Sequence, residues 1–337
     1  MVLTATMTVS PDLQRRLSEL SDLPSPPKVA MQLVDLARDP DVTIDAIATT
    51  IEYDPALAAK VLRVANSAHY ARNQRCDSVR RALITLGLKA TLSTALSFSL
   101  VSSLRQQRPG EFDYARFWKR SVMAAVAARE LGAMVGHSDW ESLFLGALLQ
   151  DIGVLALNAL EPSAYADFDG DVGNRAQLER FETERFGDCH TDVGAWLLVH
   201  WNLPEPLPYA VAMSHRPADV DPEHEAGTFA RCVSIAGLFA DVWFSADTPS
   251  AFIDVVRQCE SVLGLGPADT GIALARVRES APETAAMFDM TTLTQSQLQK
   301  VVNDAKEILL ASNAAALEEA AKLREALASY QDRAASL

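Results

Sequence analysis

Helix start and stop signals follow one another along nearly the whole chain, and strand signals are almost absent. Ser25, Thr43, Asp54 and Asp77 are predicted N-caps because each stands directly before an apolar repeat, and Gly87 is a predicted helix end. Apolar residues between these signals recur three and four positions apart, which is the period of one helix face. The sequence therefore predicts an all-α protein.

Composition narrows the class of partner. The chain has 337 residues with 44 Asp and Glu against 30 Lys and Arg, for a net charge of −14. An acidic long-range field disfavours binding to nucleic-acid phosphates or to an anionic membrane surface. We therefore expect neither nucleic acid nor membrane among the partners.

The cysteines and the apolar segments favour a cytoplasmic protein. The four cysteines are widely spaced and never form a C-x-x-C pair, so neither a disulfide framework nor a zinc knuckle is expected. The most apolar stretch, Leu143 to Leu160, contains Gln150, Asp151 and Asn158. A membrane-spanning helix needs about 20 cleaner residues, so a buried helix over 139–160 is predicted instead.

The polar segment from Arg105 to Asp113 contains a proline and a glycine and is the predicted boundary between two helical lobes. The first lobe has short helices that bury little surface alone, so we expect the two lobes to share one core. The predicted divisions are an N-terminal extension, the first lobe, the second lobe and a C-terminal amphipathic helix, over 1–20, 21–105, 106–288 and 289–337.

The C-terminal segment has a different pattern. Neither glycine nor proline occurs from Glu283 to Leu337, and apolar residues fall seven apart at Val302, Leu309, Ala316, Leu323, Tyr330 and Leu337. A heptad seam is typical of coiled coils, so a homodimer through this helix or a signalling linker is one hypothesis. A helix packed back on its own lobes is the other.

One local motif resembles a known catalytic helix. The segment GALLQDIGVLAL, Gly146 to Leu157, resembles the helix that carries the His-Asp doublet of the HD superfamily of metal-dependent phosphohydrolases. In that superfamily the imidazole and the carboxylate hold divalent cations that polarise phosphate and activate water. Here the doublet is Gln150-Asp151, and glutamine is a poor metal ligand.

Two further helices carry the same resemblance. Phe117 to Gly132 resembles the helix of the first histidine ligand, and Arg120 stands at that position. Ala230 to Asp241 resembles the helix of the late aspartate, with Gly237 at that position. The resemblance thus implies that only Asp151 remains of the ligand set. No catalytic residue, metal or cofactor is predicted.

The rest of the chain resembles the HDOD (HD-related output domain) family. The matching segments are Leu23 to Ala68, Ser78 to Thr91 and Glu184 to Pro217, and they keep their order along the chain. This resemblance implies a first helical lobe packed on a degenerate HD-like lobe. It also implies a non-catalytic signalling module that acts through a protein partner or a conformational relay.

Three alternatives stay open. Asp151, His190 and His215 could form a residual cation site, although the favoured interpretation is that His190 caps or buttresses a helix end and His215 bonds to a loop. A phosphohydrolase with an atypical site, acting on a nucleotide or cyclic dinucleotide, is a second function. The third is the regulatory part of a longer protein with an output domain such as a diguanylate cyclase, although the chain has no G-G-D-E-F signature.

Overall fold

The structure is a computed structural model, which describes residues 9–20, 23–67, 70, 75–105, 112–165, 175–221, 223–245, 247–311 and 322. Within these ranges the protein is all-α, as predicted, and has no strand.

Six helices cover the N-terminal third of the chain. They are α1 Pro11–Ser18, α2 Lys28–Arg38, α3 Ile44–Glu52, α4 Pro55–Ala65, α5 Val79–Leu86 and α6 Leu88–Leu104. Thr43 and Asp54 cap α3 and α4 with their side chains, as predicted. Gly87 ends α5 with a φ of 87°, a conformation that favours glycine.

Two predicted caps were wrong by one or two residues. Helix α2 begins after Pro27 rather than after Ser25, because extended backbone at Pro27 precedes the first helical turn. Helix α5 is capped by Ser78 rather than Asp77, since the Ser78 hydroxyl accepts from the backbone N–H of Arg81.

The second lobe is formed by α7 Tyr114–Met134, α8 Trp140–Leu149, α9 Ile152–Leu160, α10 Arg175–Phe186, α11 His190–His200, α12 Leu207–Ala212, α13 Gly227–Phe244, α14 Thr248–Gln258 and α15 Pro267–Met287. It contains the two longest of the helices with given bounds, α7 and α15, with 21 residues each. A 3₁₀ turn at Pro217–Asp219 precedes α13, and a π turn at Cys259–Leu263 follows α14. A last helix, α16, covers residues 295–311.

The single helix predicted over 139–160 is wrong, because the chain breaks at Gln150 and Asp151 between α8 and α9. Helix α9 packs closely on α11: a Cβ built on Gly153 would overlap the backbone carbonyl of His190. The break redirects the chain so that this contact forms. Apolar composition alone cannot show such a break, since both halves are equally buried.

The two lobes share one continuous hydrophobic core. Helix α6 of the first lobe packs against α2 and α4 and also against α8 of the second lobe. The described part of the N-terminal extension belongs to the second lobe, because α1 contacts α9 and the backbone N–H of Ser10 donates to Asp188 Oδ2 at 3.0 Å.

The described part of the C-terminal helix packs back on its own chain. Leu298, Val302 and Ala305 are buried, and Leu309 lies against Gly271 of α15. The first positions of the predicted seam are therefore covered within the chain. The later ones, from Ala316 onward, lie outside the described residues.

Two segments of the described chain are long and apolar enough to span a membrane by length and composition. They are Trp140–Leu160 and Gly227–Phe244, and 89% and 78% of the respective windows are buried inside the fold. Their apolar character is thus accounted for by the core of the second lobe.

Candidate functional site

A cavity of about 250 Å³ lies in the second lobe and gathers side chains from α7, α9, α10, α11 and α13. Its lining combines aromatic rings with charged groups: Phe112, Asp113, Arg116, Phe117, Arg120, Asp151, Val154, Tyr165, Arg175, Leu178, His190, His215, Asp241 and Phe244. Arg120, Asp151, His190 and His215, all singled out from the sequence, meet here.

Arg120 joins two carboxylates from different helices. Its Nη1 pairs with Asp151, and its Nε donates to Asp241 Oδ1 at 2.6 Å. The second oxygen of Asp241 accepts from Arg175 Nε at 2.9 Å. All four side chains are largely buried, so the pairs act in a medium where their attraction is stronger than in water.

The two histidines are each placed against a glutamate. His190 donates through Nδ1 to Glu182 Oε2 at 2.5 Å, and its backbone N–H donates to the same oxygen at 2.9 Å. The other oxygen of Glu182 accepts from the Tyr165 hydroxyl at 2.7 Å. His215 Nδ1 lies 3.3 Å from Glu179 Oε1.

The far sides of both rings converge on Asp151. Its Oδ1 lies 3.6 Å from His190 Nε2 and 3.3 Å from His215 Nε2, and the two ring centroids are 4.7 Å apart. These three atoms are buried and have no hydrogen-bond partner among the residues that the structure describes. The arrangement thus presents unmatched polar atoms to a cavity.

The electrostatics follow from this network. Burial alone would raise the pKa of Asp151, but Arg120 and the two histidines outweigh it and hold that pKa well below its ordinary value. Burial alone would lower the pKa of His190, but Glu182 and Asp151 outweigh it and raise the pKa to about 10. Both groups are therefore charged near neutral pH.

Gln150 and Gly237 lie beside this network. A Cβ built on Gly237 would overlap Arg175 Nη2 and Gln150 Oε1, so only glycine leaves room for the guanidinium. Gln150 is fully buried and donates through Nε2 to the Ala147 carbonyl at 3.1 Å. An aspartate at 237 would displace Arg175.

Sequence analysis missed five participants: Tyr165, Arg175, Glu179, Glu182 and Asp241. Asp241 could have been found, because it stands one helical turn after Gly237 on the same face of α13. The others come from the loop before α10 and from α10 itself. No motif connects that helix to the doublet.

Asp151, His190 and His215 have donor atoms within 4.8 Å of one another and could hold one cation. Histidine ligands backed by a carboxylate are typical of metal sites. Opposing this, the Arg120 guanidinium is bound to the other oxygen of Asp151. The His-Asp doublet of the HD superfamily is absent, so the residues fit at most a single cation.

The sequence model of the HDOD domain matches residues 23–217, which is more than half of the chain. The chain belongs to the HDOD family. This HDOD protein is 21% identical to a crystallised HDOD domain protein of Geobacter sulfurreducens, with a TM-score of 0.61 over 82% of this chain and 96% of that one. A candidate phosphohydrolase from Shewanella amazonensis SB2B is 23% identical, with a TM-score of 0.61 over 88% of this chain and 98% of that one. At these identities the likeness concerns the fold.

A protein of Treponema pallidum (strain Nichols) is 23% identical over 203 residues, which cover 58% of this chain and 38% of that protein. The HDOD protein therefore matches well under half of this relative's length.

Proposed function

We propose that this HDOD protein is a cytoplasmic regulatory module that hydrolyses no phosphoester and acts through a protein partner or a conformational relay. The observation that carries the proposal is the position of Arg120 between Asp151 and Asp241. Asp151 is the carboxylate that a cation would need, and the Arg120 guanidinium already pairs with it, while Asp241 is shared between Arg120 and Arg175.

Two further features support a module without hydrolysis. Gln150 replaces the histidine of the doublet, and its amide nitrogen donates to the Ala147 carbonyl. Arg175 occupies the space beside Gly237. A dinuclear site would thus require changes on three helices at once.

Phosphodiesterase assays of the full chain test the proposal. The chain, purified without chelator, is analysed for bound metal and assayed with bis-p-nitrophenyl phosphate and with a cyclic dinucleotide, each in the presence of Mn²⁺, Fe²⁺ or Zn²⁺. We expect the turnover of the full chain not to exceed that of the Asp151→Asn variant. This variant keeps the shape of the site and removes the carboxylate charge.

Turnover that is lost in Asp151→Asn would instead establish the second candidate function, a phosphohydrolase with an atypical site. The cluster of Asp151, His190 and His215 favours that candidate, since three protein ligands and a water suffice for some catalytic cations.

Signal transfer through the C-terminal helix is the part of the proposal that concerns partners. Because the seam residues Val302 and Leu309 pack on the chain itself, we infer that a homodimer through the C-terminal helix uses the segment beyond them. In solution the full chain should have the mass of a dimer, and a version that ends at residue 311 should have the mass of a monomer. Equal masses would remove self-association from the proposal and leave a relay to another partner.

A further inference from the structure

We propose that the first half of α10, residues 175–181, is a lid on the cavity that Arg175 holds closed and that opens while the rest of the lobe stays folded. This lid contributes Arg175 and Leu178 to the lining of the cavity. The inference rests on the proposed function only for the purpose of the movement, since a conformational relay needs a part that moves. The movement itself can be measured without any assay of phosphoester hydrolysis, so the two proposals can fail separately.

Little apolar surface attaches the lid to the lobe. Among residues 175–181 only Leu178 has a buried side chain, whereas residues 122–128 of α7 all have buried side chains. Burial of apolar surface is the main force that holds a helix against its neighbours. A segment with few such contacts therefore opens at a lower free-energy cost than the core.

Arg175 is the main polar attachment of the lid. Its Nε donates to Asp241 Oδ2 at 2.9 Å, and its Nη1 donates to the carbonyls of Ser214 and Ser234 at 3.3 and 3.4 Å. The guanidinium fits beside Gly237, where a Cβ would overlap it. A single side chain thus fastens the first turn of α10 to α13 and to the segment that follows α12.

The closed position leaves polar atoms of the lid unmatched. Arg175 Nη2 and Glu179 Oε1 are buried without a hydrogen-bond partner among the residues that the structure describes. The attraction between Arg175 and Asp241 is also offset by the cost of taking both charges out of water. Opening returns Arg175 and Glu179 to water, so only a small free energy favours the closed position.

The second half of α10 anchors the lid. Glu182 is fully buried, accepts from the Tyr165 hydroxyl at 2.7 Å and lies 2.5 Å from His190 Nδ1, and Phe186 is buried in the shared core. The movement therefore ends before Glu182. It breaks the helical hydrogen bonds of amides 179–181, because the first four N–H groups of a helix have no partner within it.

Hydrogen exchange of the full chain near pH 7, followed by mass spectrometry of overlapping peptides, tests the proposal. We expect amides 179–181 to exchange at least about 100-fold faster than amides 122–128 of α7, because they need only the local opening. Arg175→Met keeps the helix propensity and removes the guanidinium. It should speed the exchange of the lid amides by a further 10- to 100-fold or so, because hydrogen bonds to a charged group are lost.

A second variant and a matched control complete the experiment. Gly237→Ala leaves Arg175 and Asp241 in place but fills the space of the guanidinium, so it should also speed exchange of the lid amides. If Arg175→Met does not fold, as judged by thermal melts, Gly237→Ala carries the test. Arg180→Met is the control, since Arg180 lies on the same helix with an exposed side chain.

Faster exchange of amides 179–181 in Arg175→Met and Gly237→Ala, with no change in Arg180→Met or in α7, would support the proposal. Lid amides that are as protected as those of α7 in the unaltered chain would overturn it. Unchanged lid exchange in the two variants would also overturn it, because Arg175 would not be what holds the lid. An equal rise in α7 would overturn it too, since the lid would then open only with the whole fold.

Discussion

Two buried polar clusters in this protein both contain arginine and carboxylate side chains. They differ in how many of the carboxylate oxygens have a hydrogen-bond partner. The seam cluster, Tyr70, Thr94, Arg129 and Glu141, lies between the lobes. Both oxygens of Glu141 are contacted there, Oε1 by the Tyr70 hydroxyl at 2.8 Å and Oε2 by the Thr94 hydroxyl at 3.4 Å. Arg129 lies 3.8 Å from Oε1 and over the ring of Phe144.

The cavity cluster around Asp151 is more strongly charged and less fully matched. Asp151 Oδ1 lies 3.6 and 3.3 Å from the Nε2 atoms of His190 and His215 at the cavity, and these three atoms have no hydrogen-bond partner among the described residues. A buried carboxylate whose oxygens are all contacted stabilises a packing arrangement, whereas one with an unmatched oxygen is poised for a ligand. The comparison separates a structural cluster from a candidate binding site within one fold.

The largest expected effect is at Arg120. Replacing it with methionine keeps most of the packing volume but leaves Asp151 and Asp241 without the guanidinium. We expect a loss of about 3–5 kcal/mol in the free energy of unfolding, because breaking a buried pair leaves an uncompensated charge. Urea unfolding followed by circular dichroism measures it. A loss below about 1 kcal/mol would show that the cavity cluster is solvated like a surface.

The second effect is a loss of stability at high pH. The pKa of His190 in the folded protein is raised from 6.5 to about 10, so its contribution is fully present below pH 6.5 and is lost as pH rises through 10. The change should be of the order of 2–5 kcal/mol over this window. Urea midpoints from pH 6 to 10 for the protein and for His190→Gln separate the contribution of His190 from that of other titrating groups. Identical pH profiles would contradict it.

In the seam cluster we expect a smaller effect. Glu141→Gln keeps the shape and an acceptor for Tyr70 while removing the charge beside Arg129. The expected loss is about 1–3 kcal/mol in the free energy of unfolding. A double-mutant cycle with Tyr70→Phe measures the coupling between the two side chains. A larger loss in the free energy of unfolding for Glu141→Gln than for Arg120→Met would show that the seam cluster contributes more to stability than the cavity cluster.

The smallest effect is expected for a partly exposed ion pair, in which Lys60 Nζ lies 2.8 Å from Asp289 Oδ2. The Asp289 side chain is 62% exposed, so Lys60→Met should cost less than about 1 kcal/mol. Asp289→Asn should cost equally little, because asparagine tolerates the φ of 55° at this position. Thermal melts of both variants at low and high salt check this. A larger, salt-independent loss would make the pair part of the buried cluster.

Much of the fold could be predicted from the sequence because its signals are local. Caps such as Thr43 and Asp54 lie next to the backbone groups they satisfy, and the apolar period gives the helices without reference to their neighbours. The resemblance also identified the HDOD family, which the match over residues 23–217 confirms. The helix break at Asp151 was missed because it depends on packing between α9 and α11.

The candidate site was only partly predictable. The sequence by itself determined that Gln150 stands before Asp151, and the resemblance to the HD superfamily predicted Arg120, Gln150 and Gly237 at ligand positions and therefore an incomplete metal set. Only the tertiary structure decided that Arg120 bridges Asp151 and Asp241 and that Glu182 backs His190. The partners of Arg120 lie 31 and 121 residues away in the chain, and Glu182 and His190 lie on two consecutive helices. Their pairing depends on a shared buried environment, where opposite charges must meet because water cannot solvate them, and no local pattern records that requirement.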